Sequence, residues 1–192
     1  MDIYKFESII TSDDVYGEIK DNEEELMEFI PELKQMVGFD QKHPRHCFDL
    51  WEHTLRALAS PAAYLSIPYF QEPDLQIRLA LLFHDIGKVD CFTEKDGVRH
   101  YTGHPMVSSK KARVILDRIG YKNKNFIDDI CYLIENHDMP ISERLVMERP
   151  DLAIKLYIVQ KADIMAHSEK HQESREEYLV KIKKLIVAST DY

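Results

Sequence analysis

Cysteine is scarce and poorly spaced for any structural role. Cys47, Cys91 and Cys131 are odd in number, far apart and in no C-x-x-C pair, which argues against a disulfide framework or a zinc knuckle. Three reduced and mostly buried thiols are the expectation. Glycine is also sparse, with six in 192 residues, and nowhere gathers into a loop that could cradle phosphates. No G-x-S-x-G nucleophile elbow occurs. Long apolar runs are missing too: none approaches the roughly 20 residues needed to span a bilayer. Met1-Asp2-Ile3-Tyr4-Lys5 shows neither the basic start nor the apolar core of a secretory signal, so a cytoplasmic location with no membrane association is expected.

Positive charge is in deficit. With 25 Lys and Arg against 34 Asp and Glu, the formal net charge is −9. That balance disfavours a broad surface for duplex nucleic acid, which needs clustered cations to displace counterions. A small anionic substrate stays open, because one pocket can be positive on an acidic protein. Apolar residues at 44% and charged residues at 31% are those of a globular protein. The length suits one domain over residues 1–192 with a substantial core. Repeats, low-complexity tracts and linkers are absent from the sequence.

What the chain does have is helical periodicity. Residues 1–25 read as a variable N-terminal segment that runs into the polar stretch Lys20-Asp21-Asn22-Glu23-Glu24-Glu25. Leu26, Met27, Phe29, Ile30, Leu33, Met36 and Val37 recur at steps of three and four, which predicts one amphipathic helix continuing through Pro31 to Gly38. After a loop at Gln41-Lys42-His43-Pro44-Arg45, the spacing of Phe48, Leu50, Trp51, Leu55 and Leu58 predicts a second helix with His53 midway. Breaks are expected at Ser60-Pro61 and Ile67-Pro68, and Asp74 can cap a third helix ending in Leu79-Ala80-Leu81-Leu82-Phe83-His84-Asp85-Ile86-Gly87-Lys88. Asp96-Gly97 between mixed residues suggests a small hairpin near 91–101. His104-Pro105 then opens a helix that Gly120 ends, and His137 closes another one before Pro140. A further apolar helix carries Asp163, where an unpaired carboxylate would be costly and a buried cation is the better account. Residues 169–192 read as a packing helix striped by Tyr178, Leu179, Ile182, Leu185 and Ile186.

Histidine and aspartate therefore recur at helix ends and on helix faces, in the order His53, His84-Asp85, His104, His137, Asp163. With His46-Cys47-Phe48-Asp49-Leu50-Trp51-Glu52-His53, Gly103-His104-Pro105, Glu135-Asn136-His137 and Lys161-Ala162-Asp163, this order resembles the HD-domain superfamily of metal-dependent phosphohydrolases. In wording it is most similar to the HD region of bacterial CCA-adding tRNA nucleotidyltransferases, over roughly residues 31–167. The resemblance implies an all-α helical bundle converging on one or two divalent cations, of Mn, Fe, Co, Ni, Mg or Zn. It implies His53, His84, Asp85 and Asp163 as primary ligands, with Asp85 able to bridge. His104 and His137 are then either ligands of a second ion or substrate contacts.

Phosphoester hydrolysis by metal-activated water follows, with Asp85 and Lys88 as catalytic residues. Lys88, Arg45 and Lys42 are candidates to meet phosphate oxygens, and His46 either touches substrate or orders its loop. His43, His100, His167 and His171 read as ordinary, and Trp51 as core. The paired aspartates and Gly-rich loop of a nucleotidyltransferase head do not occur in these residues. The expectation is thus a stand-alone enzyme for a nucleotide or another small phosphorylated substrate, of open oligomeric state. The alternatives are a non-catalytic nucleotide-sensing module and a structural domain whose His and Asp side chains satisfy one another.

Overall fold

The protein is seen in a computed structural model that describes residues 1–60 and 74–190. The breaks expected at Pro61 and at Ile67-Pro68 lie outside the described residues. Within them run α1 (Ile3–Ile10), α2 (Val15–Asp21), α3 (Glu23–Phe29), a 3-10 helix (Pro31–Met36), α4 (Leu50–Leu58), α5 (Leu75–Phe83) and the short α6 (Lys88–Cys91). A hairpin of β1 (Thr93–Lys95) and β2 (Val98–His100) follows, then α7 (His104–Ile119), α8 (Lys124–Asn136), α9 (Glu143–Glu148), α10 (Pro150–Met165) and α11 (Glu169–Thr190). The fold is all-α apart from that hairpin.

Local chemistry sets most helix starts. Side chains of Asp2, Asp14, Asp49, Asp74, Asn123 and Ser142 each accept a hydrogen bond from a backbone N–H in the first turn of the helix that follows, satisfying donors that have no partner within the helix. Gly120 closes α7 at φ 120°, a conformation that penalises any residue with a Cβ. Asp96 and Gly97 both take positive φ, as a tight antiparallel hairpin turn demands, and Thr93 pairs with His100.

Two expectations fail. The helix drawn through Pro31 is interrupted: α3 stops at Phe29, Ile30 turns to φ −127°, and a separate 3-10 helix begins at Pro31. Proline has no N–H to continue the ladder, and it biases the preceding residue away from helical angles. Val37, assigned to the apolar stripe, is exposed as a result. The thiols are not mostly buried either. Only Cys131 is, while Cys91 is half-buried and Cys47 lies exposed in the loop before α4.

Helix α5 is central, with every residue from Ile77 to Phe83 buried, and it packs on α4, α8 and α10. Each fully buried Leu, Ile or Phe contributes about 1.5–3 kcal/mol. Residues 1–25 add Phe6, Ile9, Ile10, Val15 and Ile19 to the same core, and α11 adds Leu179, Ile182 and Ile186. One apolar mass therefore holds the ends of α5, α8 and α10, and the functional groups stand at those ends.

Candidate metal centre

His84 follows the last residue of α5, and His137 the last of α8. His104 is the first residue of α7, behind Gly103 at φ 82°. His53 lies within α4 and Asp163 three residues from the end of α10. Each of these side chains is buried, as is Asp85. The turn that carries His84 and Asp85 is pressed against α7 at Gly87, whose N–H donates to Ser108 Oγ at 2.9 Å. A Cβ on Gly87 would meet the Ser108 backbone nitrogen at 2.6 Å, so this position has room only for glycine.

The rings share one orientation. Nδ1 of His84 lies 2.7 Å from the Leu81 carbonyl oxygen, His104 Nδ1 2.9 Å from Tyr101 O, and His137 Nδ1 2.6 Å from Ile134 O. His53 Nδ1 lies 3.2 Å from Ala166 O. A carbonyl only accepts, so each Nδ1 carries a proton, and Nε2 is the atom that each ring turns inward. This is how a protein fixes the tautomer of a metal-binding histidine.

The inward atoms then crowd together. His53 Nε2 stands 2.9 Å from Asp163 Oδ1, and His104 Nε2 3.3 Å from His137 Nε2. Asp85 Oδ1 sits 3.0 Å from His104 Nε2, yet it and His84 Nε2 are buried without a hydrogen bond. Lone pairs crowded in this way repel unless a cation sits among them.

Among the described residues four sets of ligand atoms converge within 4.8 Å, and two of them are wholly buried: His53, His84, Asp85 and Asp163 in one, and Asp85, His104 and His137 in the other. Asp85 divides between them. Its Oδ2 lies 3.5 Å from His53 Nε2 and 3.3 Å from His84 Nε2, while Oδ1 faces His104 and, at 3.7 Å, His137. Imidazole nitrogens mixed with carboxylate oxygens suit a divalent transition metal, and the residues present fit such an ion.

Electrostatics say the same. Burial alone would strip the proton from His84, but the charges of Asp85 and Asp163 outweigh it and hold that imidazole up to about 10. Burial would also raise both carboxyls. Instead Asp85 is held well below the usual carboxylate range by His84 and Lys88, and Asp163 by His167, His53 and His84. Two buried anions thus draw positive charge from whatever is near. Lys88 supplies some: its buried Nζ stands 2.6 Å from Asp85 Oδ2 and 3.0 Å from Gln41 Oε1.

A cavity of about 610 Å³ opens over the cluster, lined by Arg45, His46, Lys88, Arg99, Tyr101 and Asp138 among others. Arg45 and His46 line it. Lys42 does not line it and instead pairs with Glu94 at 3.1 Å. His43 and His100, read as ordinary, do line it. His167, ordinary by sequence, has its ring centre 4.4 Å from that of His46 and 4.9 Å from that of His53. Burial lowers it to about 4. Its position four residues after Asp163 was the available signal. Asp138, beside His137, was also passed over; its carboxylate lies 3.5 Å from His104 Nε2.

The sequence signature of the HD domain matches residues 46–183. The chain belongs to the HD domain family. It is 30% identical over 146 residues to a CC-adding tRNA nucleotidyltransferase of Thermus thermophilus, covering 72% of this chain and 32% of that protein. A multifunctional CCA protein of Halorhodospira halophila is 27% identical over 69% of the chain and 29% of its own length. A bifunctional uridylyltransferase/uridylyl-removing enzyme of Caulobacter vibrioides is 28% identical over 58% of the chain and 12% of its own. The chain thus spans about a third or less of the curated relatives it matches. As an HD domain it is of a kind typically found in metal-dependent phosphohydrolases, and its buried His and Asp cluster could hold a metal ion. Among the described residues no helix is long and apolar enough to cross a membrane.

Proposed function

We propose that this HD domain is a metal-dependent phosphohydrolase that cleaves a phosphomonoester or phosphodiester bond of a nucleotide or related small substrate. One observation carries the reading. Four histidines spend their Nδ1 protons on backbone carbonyls and turn Nε2 onto two carboxylates, Asp85 and Asp163. A cation bound there supplies a water acidic enough to ionise near neutral pH and draws charge from a phosphoryl oxygen. In this reading His53, His84, Asp85 and Asp163 would hold one ion, and His104 and His137, with Asp85, would hold a second.

The chain's own residues do the rest. Lys88 braces Asp85 and keeps its carboxylate charged and oriented. Lys88 offers N–H donors to non-bridging phosphoryl oxygens over the cluster, and Arg45 and His46 line the approach of the phosphorylated substrate. The core beneath the cluster leaves Asp85 1% and Asp163 6% exposed, which strengthens the interactions of both carboxylates. The domain is read as cytoplasmic, in keeping with cysteines that form no disulfide among the described residues.

Elemental analysis of the purified protein, followed by turnover of a nucleotide and phosphodiester panel with Mn, Co, Ni or Mg, tests the proposal. The His84→Ala/Asp85→Ala double variant should bind no metal and release no product; undiminished turnover in it would overturn the reading. Tight nucleotide binding without product in the wild type would favour the sensing module instead.

A further inference from the structure

Beyond the rings of His137 and His167 the cleft continues into a smaller cavity of about 240 Å³, lined by Arg45, His137, Asp138, Asp163, Ile164, His167, His171 and Arg175. Its two arginines are unlike the rest. Arg56, Arg99, Arg113, Arg118, Arg144 and Arg149 each bond a carboxylate, and Arg78 bonds the Leu58 carbonyl oxygen. The guanidinium groups of Arg45 and Arg175 have no hydrogen bond or ion pair among the described residues. Arg175 only stacks on Tyr178, 4.8 Å from the ring centre. In a chain with nine more acidic than basic residues, partners were plentiful, so leaving these two cations free on one cavity needs an explanation.

The elements that place them are well anchored. The Arg45 carbonyl oxygen accepts from Ser168 N–H at 2.9 Å, which joins the loop before α4 to the start of α11. His171 and Arg175 lie four residues apart on α11 and so share a face. Burial and the charges of Arg45 and Arg175 both push the His171 imidazole down, so both cations act on the same ring. The cavity's negative groups belong to its other end: Asp163 is committed to His53, and Asp138 faces His104 and His137.

We propose that Arg45, Arg175 and His171 form a second anion subsite, which takes a phosphoryl group of the substrate other than the one that reacts. The inference rests on the phosphohydrolase reading and narrows its substrate to compounds carrying at least two phosphoryl groups. The reacting group lies over the cluster, and the second lies past His167, where two guanidinium forks and a neutral imidazole can meet its oxygens.

Two measurements test it. Inorganic phosphate is titrated by calorimetry into metal-free wild type, Arg175→Gln and Arg175→Lys, with thermal melts confirming that each is folded. Arg175→Gln should weaken binding about tenfold, the loss expected for one charge-assisted hydrogen bond, and Arg175→Lys should restore part of it. Equal affinities in wild type and Arg175→Gln would overturn the subsite. With metal, the ratio of kcat/KM for a nucleoside 3′,5′-bisphosphate over its 5′-monophosphate should exceed one in the wild type and fall about tenfold in Arg175→Gln. A ratio unchanged by the substitution would also overturn it. If no ester is hydrolysed the phosphohydrolase reading fails alone, and the phosphate titration still decides the subsite.

Discussion

Asp85 and Arg99 face the same cavity and are held there in opposite ways. Asp85 is 1% exposed and lies within 3.7 Å of His53, His84, His104, His137 and Lys88. All of these stand on helices or helix ends anchored in one core. Arg99 sits on the hairpin, where it bonds Asp40 O and Glu94 and stacks between Phe39 and Phe92. It is tied only to other surface pieces. The floor is therefore rigid, dry and costly to alter, while the rim is a set of exposed polar contacts that can change with little effect on the fold. On the proposed function, metal binding would fall to the first region and choice among substrates to the second.

The comparison breaks if a floor substitution behaves like a rim substitution. Asp85→Asn should have the largest effect, because one carboxylate serves both ligand sets. Bound metal should fall to background by elemental analysis, and turnover by at least a thousandfold, the scale on which loss of a central electrostatic group is felt. His137→Ala should be milder. Of the two buried sets it belongs only to the second, so metal stoichiometry should drop by one ion while the set around His53 and Asp163 stays filled. Loss of all metal in His137→Ala would show the two sets to be a single site.

Floor and rim also differed in how far they could be read from sequence. His84 and His137 end helices whose apolar periodicity is plain, and Pro105 and Pro140 mark the boundaries beside His104 and His137, so local rules alone place three of these groups at helix ends. Their convergence came from the family order of residues, since periodicity cannot say which helix ends meet. The rim was largely hidden. The backbone bond from Arg99 N–H to Lys42 O, the Tyr101 hydroxyl on Gln41 O and Ser168 N–H on Arg45 O join positions 57, 60 and 123 residues apart. No local pattern encodes such pairings, so neither the turn of Lys42 toward Glu94 nor the approach of His167 to His46 and His53 is legible in the sequence. The helix drawn through Pro31 failed for the opposite reason, an apolar stripe being given more weight than the missing N–H.

Gly87→Ala tests the support beneath the floor. The new methyl would press on Ser108 N and Oγ, at 2.6 and 2.9 Å, and neither the backbone of α7 nor the turn can yield without moving the other. Overpacking of this kind costs about 1–3 kcal/mol, which for a domain of this size lowers Tm by roughly 2–4 °C per kcal/mol. Metal affinity should fall with it, because the turn that shifts carries His84 and Asp85. A lower Tm with unchanged metal affinity would mean that the turn moves as a unit with its ligands.

The smallest effect is expected at Lys42. Its ammonium meets Glu94 at 3.1 and 3.2 Å, and both side chains are more than a third exposed. Exposed pairs of this kind contribute roughly 0–1 kcal/mol and are screened by salt. Lys42→Ala should therefore leave Tm within about 2 °C and bound metal unchanged. It does free Glu94, the acceptor that also holds Arg99 at 3.2 Å, so Arg99 becomes more mobile at the mouth of the cavity. A severalfold rise in KM at constant kcat should follow, because orienting substrate before reaction is all that this residue can influence. A fall in kcat with metal content intact would instead show that the rim acts on the reacting phosphoryl group, and the division between a metal-holding floor and a selecting rim would have to be redrawn at Arg99.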